Sequence, residues 1–471
     1  MPNMRSQSVH RHAGRGSPLA LLILLAGCGA APQSEASRPE SIPAQAAMAV
    51  AADEKAAAMA PEADADSEVV AVVQPVHVHD PAFAKGARHY SVDYRVRFLP
   101  SEGMAAVNID LKAGTGHLSR LDFHMPASRY QAIEGDGDIE REGDRVIWKP
   151  PHKGGELRYR YHIDHQRSGG GYDARITDEW ALLRGDDLVP PARTRGTHDS
   201  YAHATLHFDE LPAGWSAETP WKPAHGGGDA VVNPETRFDR PVGWILAGKL
   251  GVRRETVEEM SVSVAAPTDN AARRLDVLGA INALGTEMQR TFGRLPPKLL
   301  IVLAPDPMWR GGLSAPRSLY LHQDRPLISE NGSSTLVHEL VHVISGIRGV
   351  KGEDWIAEGI AEFYSIELMS RIGLLSEDRR ERALEWMRNH GRNVKTLVAD
   401  SSSGKRTARA VALLADLDAE IRQGTDDEAS LDDVARKLTD AGHKASLSDL
   451  RELSAGLLGH PSRVLQESVV E

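Results

Sequence analysis

The 471-residue sequence predicts an α+β protein, a β-sandwich followed by an α/β domain with a helical C-terminal part. Three observations carry that prediction. From about residue 85 to 250, apolar and polar side chains alternate at period two between Gly- and Pro-rich breaks. From about 262 onward the period becomes helical, with one continuous apolar run between helices. Within a helical stretch lies the pentapeptide His338-Glu339-Leu340-Val341-His342, an H-E-x-x-H motif.

At the N-terminus, Arg5, Arg11 and Arg15 precede a short apolar run, Leu19 to Leu25, and then Ala26-Gly27-Cys28. A charged segment, an apolar segment too short to span a bilayer and small residues describe a secretory signal peptide over residues 1–27. Leu25-Ala26-Gly27-Cys28 resembles a bacterial lipoprotein signal, which implies lipidation of Cys28; the alternative is an ordinary cleaved signal with an incidental cysteine. Gly29, where Asp would retain a lipoprotein in the inner membrane, implies the outer membrane and a periplasm-facing protein of the cell envelope. Cys28 is the single cysteine, so no disulfide supports the fold. Residues 28–84 are rich in Ala, Pro, Glu and Ser, a composition that buries too little surface to fold and predicts a flexible tether.

The β-sandwich is expected over residues 85–255, with Tyr90 to Phe98 and Leu157 to Ile163 as its clearest strands. Residues 256–400 are expected to form the α/β domain: a helix from Ala271 to Phe292, a buried strand from Lys298 to Leu303 and an edge strand from Ser318 to His322. The helix carrying H-E-x-x-H follows, then a second from Asp354 to Tyr364. The mixed-sign run Ser376 to Arg382 reads as a solvated helix face. In the C-terminal segment, 401–471, Leu431 to Leu438 and Leu447 to Leu458 are amphipathic and start near Ser or Asp, as capped core helices do.

On a helix, residues four apart share a face, so His338 and His342 can offer two imidazoles to one metal ion. Glu339 lies beside them, placed to act as a general base, the signature of zinc proteases. Catalytic zinc takes three protein ligands, and the second helix supplies a candidate. Along Trp355-Ile356-Ala357-Glu358-Gly359-Ile360-Ala361-Glu362-Phe363, the apolar residues follow helical spacing, and Glu358 and Glu362 share another face. A carboxylate among apolar residues is costly unless paired or bound to metal, which makes Glu358 the third ligand. Glu362, one turn on, either accepts the free ring N–H of a zinc histidine or faces solvent.

H-E-L-V-H followed by W-I-A-E-G-I-A-E-F-Y resembles the gluzincins, the thermolysin-like zinc peptidases. Within them the chain is most similar to the glycyl aminopeptidase family and more distantly to aminopeptidase N. The resemblance implies a thermolysin-like α/β catalytic domain, a Zn2+ cofactor and a peptide or protein substrate. It also implies a substrate-binding edge strand at Gly311-Gly312-Leu313-Ser314. Two departures follow from it. Ser314 stands where those families carry a Glu for the substrate's α-amine, and a neutral hydroxyl cannot form that ion pair. The oxyanion-stabilising Tyr aligns near Lys405, and no Tyr occurs after Tyr364. Lys405, Arg406, His390 and His443 are the candidate substitutes.

The net charge of −11 and the absence of a Lys/Arg-rich block exclude a nucleic-acid partner. Expected partners are a peptide substrate and, through Cys28, a membrane. The competing expectation is a peptidase-like lipoprotein that binds zinc or peptides with weak turnover or none.

Overall fold

The computed structural model describes residues 88–233, 238–268 and 272–466. The expected signal peptide, the Cys28 lipidation site and the tether lie outside the described residues.

From Arg88 to Gly248 the elements are strands, interrupted by a 3-10 turn at Pro100–Glu102 and one helical turn at Gly185–Leu188. Seven form a sheet in the order Lys222–Pro223, Asp229–Val231, Ser200–Phe208, Arg88–Leu99, Met104–Ala113, Gly154–His162, Tyr130–Gly135. Arg88–Leu99 is interior because it pairs on both sides, and its period-two pattern buries Tyr90, Val92, Tyr94, Val96 and Phe98 on one face. It runs antiparallel to Met104–Ala113 but parallel to Ser200–Phe208, with Arg88 opposite Ser200. A four-stranded sheet (Ala192–Gly196, Leu118–His124, Arg145–Lys149, Asp138–Glu142) contributes Leu121, Phe123 and Trp148 to the same core. A further sheet, Ser216–Glu218, Trp244–Gly248, Trp180–Arg184, Tyr172–Ile176 and His165–Gln166, adjoins the next region.

That region is built on five strands in the order Leu250–Val257, Met260–Pro267, Lys298–Ala304, Ser318–His322, Gly312–Ala315. The sequence boundary at residue 255 therefore falls inside its first strand. The three central strands are parallel and the outer two close antiparallel hairpins. Helix α1 (Arg274–Phe292) makes the crossover between the first parallel pair; it begins three residues after Ala271, which is outside the described residues. Lys298–Ala304 reads as a continuous apolar run because both faces are covered. Leu299, Ile301 and Leu303 pack under the helices, whereas Leu300, Val302 and Ala304 meet Trp180, Leu182, Trp244 and Leu246 of the β-rich region.

One expectation is corrected here. Ser318–His322 is an inner strand, buried at all five residues and paired on both sides; the edge is Gly312–Ala315. A five-residue strand flanked by turns shows no sequence mark of which side is open, since backbone pairing sets that.

The helices follow in sequence: α2 (Thr335–Ser345), α3 (Trp355–Arg371), α4 (Glu377–Gly391), α5 (Lys405–Gly424), α6 (Leu431–Ala441) and α7 (Leu447–Leu458). Capping boxes at Ser430 and Ser446 start the last two, satisfying N–H groups that a helix leaves free. The charged start of α4 is not purely a solvated face, because Arg380 reaches in to the buried Glu367 at 2.7 Å.

Candidate metal and catalytic site

Helix α2 forms where the sequence places it for three local reasons. The Ser334 hydroxyl caps its start by accepting the Val337 N–H at 3.3 Å. Leu336, Val337, Leu340, Val341 and Ile344 bury one stripe, leaving His338 and His342 on another. Gly346 in the left-handed conformation ends it, its N–H donating to the His342 carbonyl at 3.0 Å. Helix α3 buries Trp355, Ile356, Ile360 and Phe363 in the same core and turns Glu358 and Glu362 toward α2.

The two helices bring three ligand atoms together. His338 Nε2 lies 3.2 Å from His342 Nε2 and 3.4 Å from a Glu358 oxygen; the other Glu358 oxygen lies 3.3 Å from His342 Nε2. Ligands bound tetrahedrally to zinc at 2.0–2.1 Å stand roughly 3.3–3.4 Å from one another, so one atom from each residue is close to the spacing a single ion needs. The tautomer fits as well. His338 Nδ1 donates to Glu362 at 3.0 Å, which leaves the Nε2 lone pair directed at the cluster. Electrostatics favour a charged site. Burial alone would lower the His338 pKa, but without a metal Glu358 and Glu362 outweigh it and raise it well above the ordinary value, so an ion binding here displaces a proton from Nε2. Burial opposes the Glu358 charge too, yet His342 and His338 hold that carboxyl far below the usual carboxylate range.

Glu339 is 9 % exposed and rests against the edge strand. A Cβ on Gly312 would lie 2.9 Å from Glu339 Cγ and 2.7 Å from Thr335 Cγ2, so only glycine lets the strand pass this close. The antiparallel register defines what that strand offers. His322 N–H donates to the Gly311 carbonyl, so the residues bonded to the neighbouring strand are Gly311 and Leu313. The N–H and C=O of Gly312 and Ser314 therefore point out of the sheet, beside Glu339. Trp244 supports the strand from behind, its indole N–H donating to the Leu313 carbonyl at 2.9 Å.

The four oxyanion candidates show no such convergence. Lys405 and Arg406 open α5, with Arg406 donating to the Ser401 carbonyl; His390 stacks on Trp386; His443 pairs with the Lys444 carbonyl. None of these contacts reaches the three ligand residues. Asp354 escapes notice in the sequence. It precedes α3, accepts the Ser402 N–H at 2.8 Å and has its pKa raised by burial, with the Glu358 charge adding to the effect. Its position before Trp355 at a helix start was the available signal.

Among the described residues a second cluster, Asp306, His322 and Asp324, has ligand-like chemistry. It is already neutralised. Arg310 pairs with both aspartates, and His322 Nδ1 accepts the Asp324 N–H at 3.3 Å, placing the ring proton on Nε2 where a metal would need a lone pair.

No family model matches the sequence, and no curated protein matches it. Solved structures do resemble it. An aminopeptidase N family protein from Idiomarina loihiensis superposes with a TM-score of 0.57 at 12 % identity, over 77 % of this chain and 75 % of that one. An M1 zinc metallopeptidase mutant from Deinococcus radiodurans, bound to a Tyr-Ser-Ala substrate, gives 0.51 at 16 % identity, over 81 % and 92 %. Leukotriene A4 hydrolase from Saccharomyces cerevisiae gives 0.52 at 14 %, over 80 % and 66 %. At these identities the likeness is one of fold: a mixed helix-and-sheet architecture shared with M1 zinc metallopeptidases.

Proposed function

We propose that the chain is a zinc-dependent peptide-bond hydrolase of the bacterial cell envelope, anchored through a lipidated Cys28 and facing the periplasm. The observation that carries the catalytic reading is the convergence of His338, His342 and Glu358 at 3.2–3.4 Å beside Glu339 and an open strand edge. His338, His342 and Glu358 would hold the zinc, with Glu362 fixing the His338 ring. When bound, zinc would supply water activation near neutral pH and polarisation of the scissile carbonyl.

The chain's own groups do the rest. Outward N–H and C=O groups of Gly312 and Ser314 pair with an extended peptide by strand addition, which orients it along the edge. Glu339 takes the proton of the attacking water and returns it to the leaving amine. Ser314 offers no charge to a free α-amine, so internal or N-blocked peptide bonds suit this strand better than a peptide's first bond.

A second reading is a peptidase-like lipoprotein that binds zinc or peptide and turns over weakly or not at all. The observation favouring it is that no Tyr follows Tyr364, so the oxyanion-stabilising Tyr that the resemblance implies near Lys405 is missing. Against it stands Glu339, which zinc binding alone does not require.

The deciding experiment compares the chain with its Glu339→Gln variant for metal content and cleavage of a mixed peptide library. Hydrolysis predicts one zinc equivalent in both proteins and a cleavage rate lower in the variant by roughly 10²–10⁴-fold. Equal cleavage, or none, with zinc retained would establish the binding reading. Zinc absent from both would remove the site.

A further inference from the structure

The edge strand is supported by Trp244 at the Leu313 carbonyl, and its glycine start is held on the side away from Glu339 by a second side chain. The loop between His165–Gln166 and Tyr172–Ile176 reaches the segment ahead of the strand. Tyr172 N–H donates to the Pro307 carbonyl at 3.0 Å, and its own carbonyl accepts the Trp309 N–H at 2.8 Å. Gly171 lies flat against Trp309; a Cβ there would come 2.9 Å from the Trp309 Cα. The Arg167 guanidinium sits 4.6 Å from the Trp309 ring centroid, and the Tyr320 hydroxyl donates to the Trp309 carbonyl at 2.6 Å. The indole in turn covers Gly311, where a Cβ would overlap the ring.

Gly311 and Gly312 have no side chains to anchor them, and glycine is the residue with most backbone freedom to lose. The outer side of the strand is open. With Leu313 fixed by Trp244, the height of Gly311 and Gly312 above Glu339 is set by what grips the strand at its start, and that is Trp309.

We propose that Trp309, clamped by Gly171 and Tyr172 of the β-rich region, is a positioning residue for the Gly312–Ala315 strand. The clamp keeps the strand close enough to Glu339 for a paired peptide to meet the ligand cluster. This role rests on the hydrolase reading only for its kinetic consequence. A displaced strand pairs a peptide less well in ground state and transition state alike, so the loss falls on KM.

The test uses Trp309→Ala, Gly171→Val and Trp309→Phe in the full chain, with two measurements. Amide hydrogen exchange should show faster exchange at Leu313 and Ala315 in the first two variants, by about tenfold or more, with α2 unchanged and Trp309→Phe restored towards the native rate. For the library peptide that the native chain cleaves fastest, KM should rise about tenfold with kcat within about twofold and zinc still at one equivalent. Unchanged exchange at Leu313 and Ala315 would overturn the proposal. So would faster exchange spread over α2 with loss of zinc, which marks a merely structural residue. A native chain that cleaves no peptide would overturn the hydrolase reading instead, and the exchange result would still decide the clamp.

Discussion

Glu362 determines which nitrogen of His338 faces the ligand cluster, through a single 3.0 Å hydrogen bond. Glu362→Gln keeps a polar partner but removes its charge, and it should weaken zinc affinity about 10–100-fold, as removal of such partners does elsewhere. Competition against a chromophoric chelator would measure this; unchanged affinity would place Glu362 outside the metal's support. Gly312→Ala makes a sharper prediction, because its Cβ would press on Glu339 and Thr335. Turnover should fall by about 100-fold with zinc stoichiometry intact, read by parallel kinetics and metal analysis. At this scale the candidate cluster is legible in the sequence. His338, His342, Glu358 and Glu362 lie on two helices whose period alone puts them on shared faces. Trp309, Thr335 and Asp354 were not, since each acts on a segment that meets it only after the chain has folded.

The C-terminal helices are tied to α3 by a half-buried ionic group. Arg371 donates to both oxygens of Asp432 at 2.7 and 3.0 Å, and the Tyr364 hydroxyl donates to the same carboxylate at 2.8 Å. Burial opposes the Asp432 charge, but Arg371 outweighs it and leaves the pKa below the ordinary value. A depressed folded-state pKa contributes stability above the unfolded-state pKa, and that stability is lost as pH falls through the folded value. Asp432→Asn should therefore cost about 1.5–3 kcal/mol near neutral pH, the scale of lost hydrogen bonds to a charged group, with the difference from the native chain closing below about pH 4. Urea titrations at both pH values check it; an equal difference at pH 3 would dissociate the effect from this carboxyl. Helices α6 and α7 were readable from their serine caps and apolar stripes. The placement of Ser318–His322 was not, because its alternation is the same whether one side or both are paired.

For the whole molecule, the sheet beneath the site is covered on one face by helices and on the other by the β-rich region, so α2 and α3 stand on a support with no free face. A ligand that binds only the folded cluster stabilises that assembly by mass action, about 2.7 kcal/mol at a hundred times Kd. Zinc should raise the melting temperature of the native chain and not of His342→Ala, measured by calorimetry with and without chelator; an equal rise in both would indicate binding elsewhere. The succession of strands and then helices was visible in the change of period. The sharing of one strand, Lys298–Ala304, between two cores was visible only as an unbroken apolar run. The parallel pairing of Arg88–Leu99 with Ser200–Phe208 bears on how the chain is made. The first described strand leaves the ribosome about 110 residues before its partner, which at usual rates of synthesis is roughly 5–20 s. During that interval Tyr90, Val92, Tyr94, Val96 and Phe98 have a hairpin neighbour but no complete sheet, so the nascent chain exposes an apolar surface that the finished sheet covers. The seven-stranded sheet cannot close until Val231 has been synthesised.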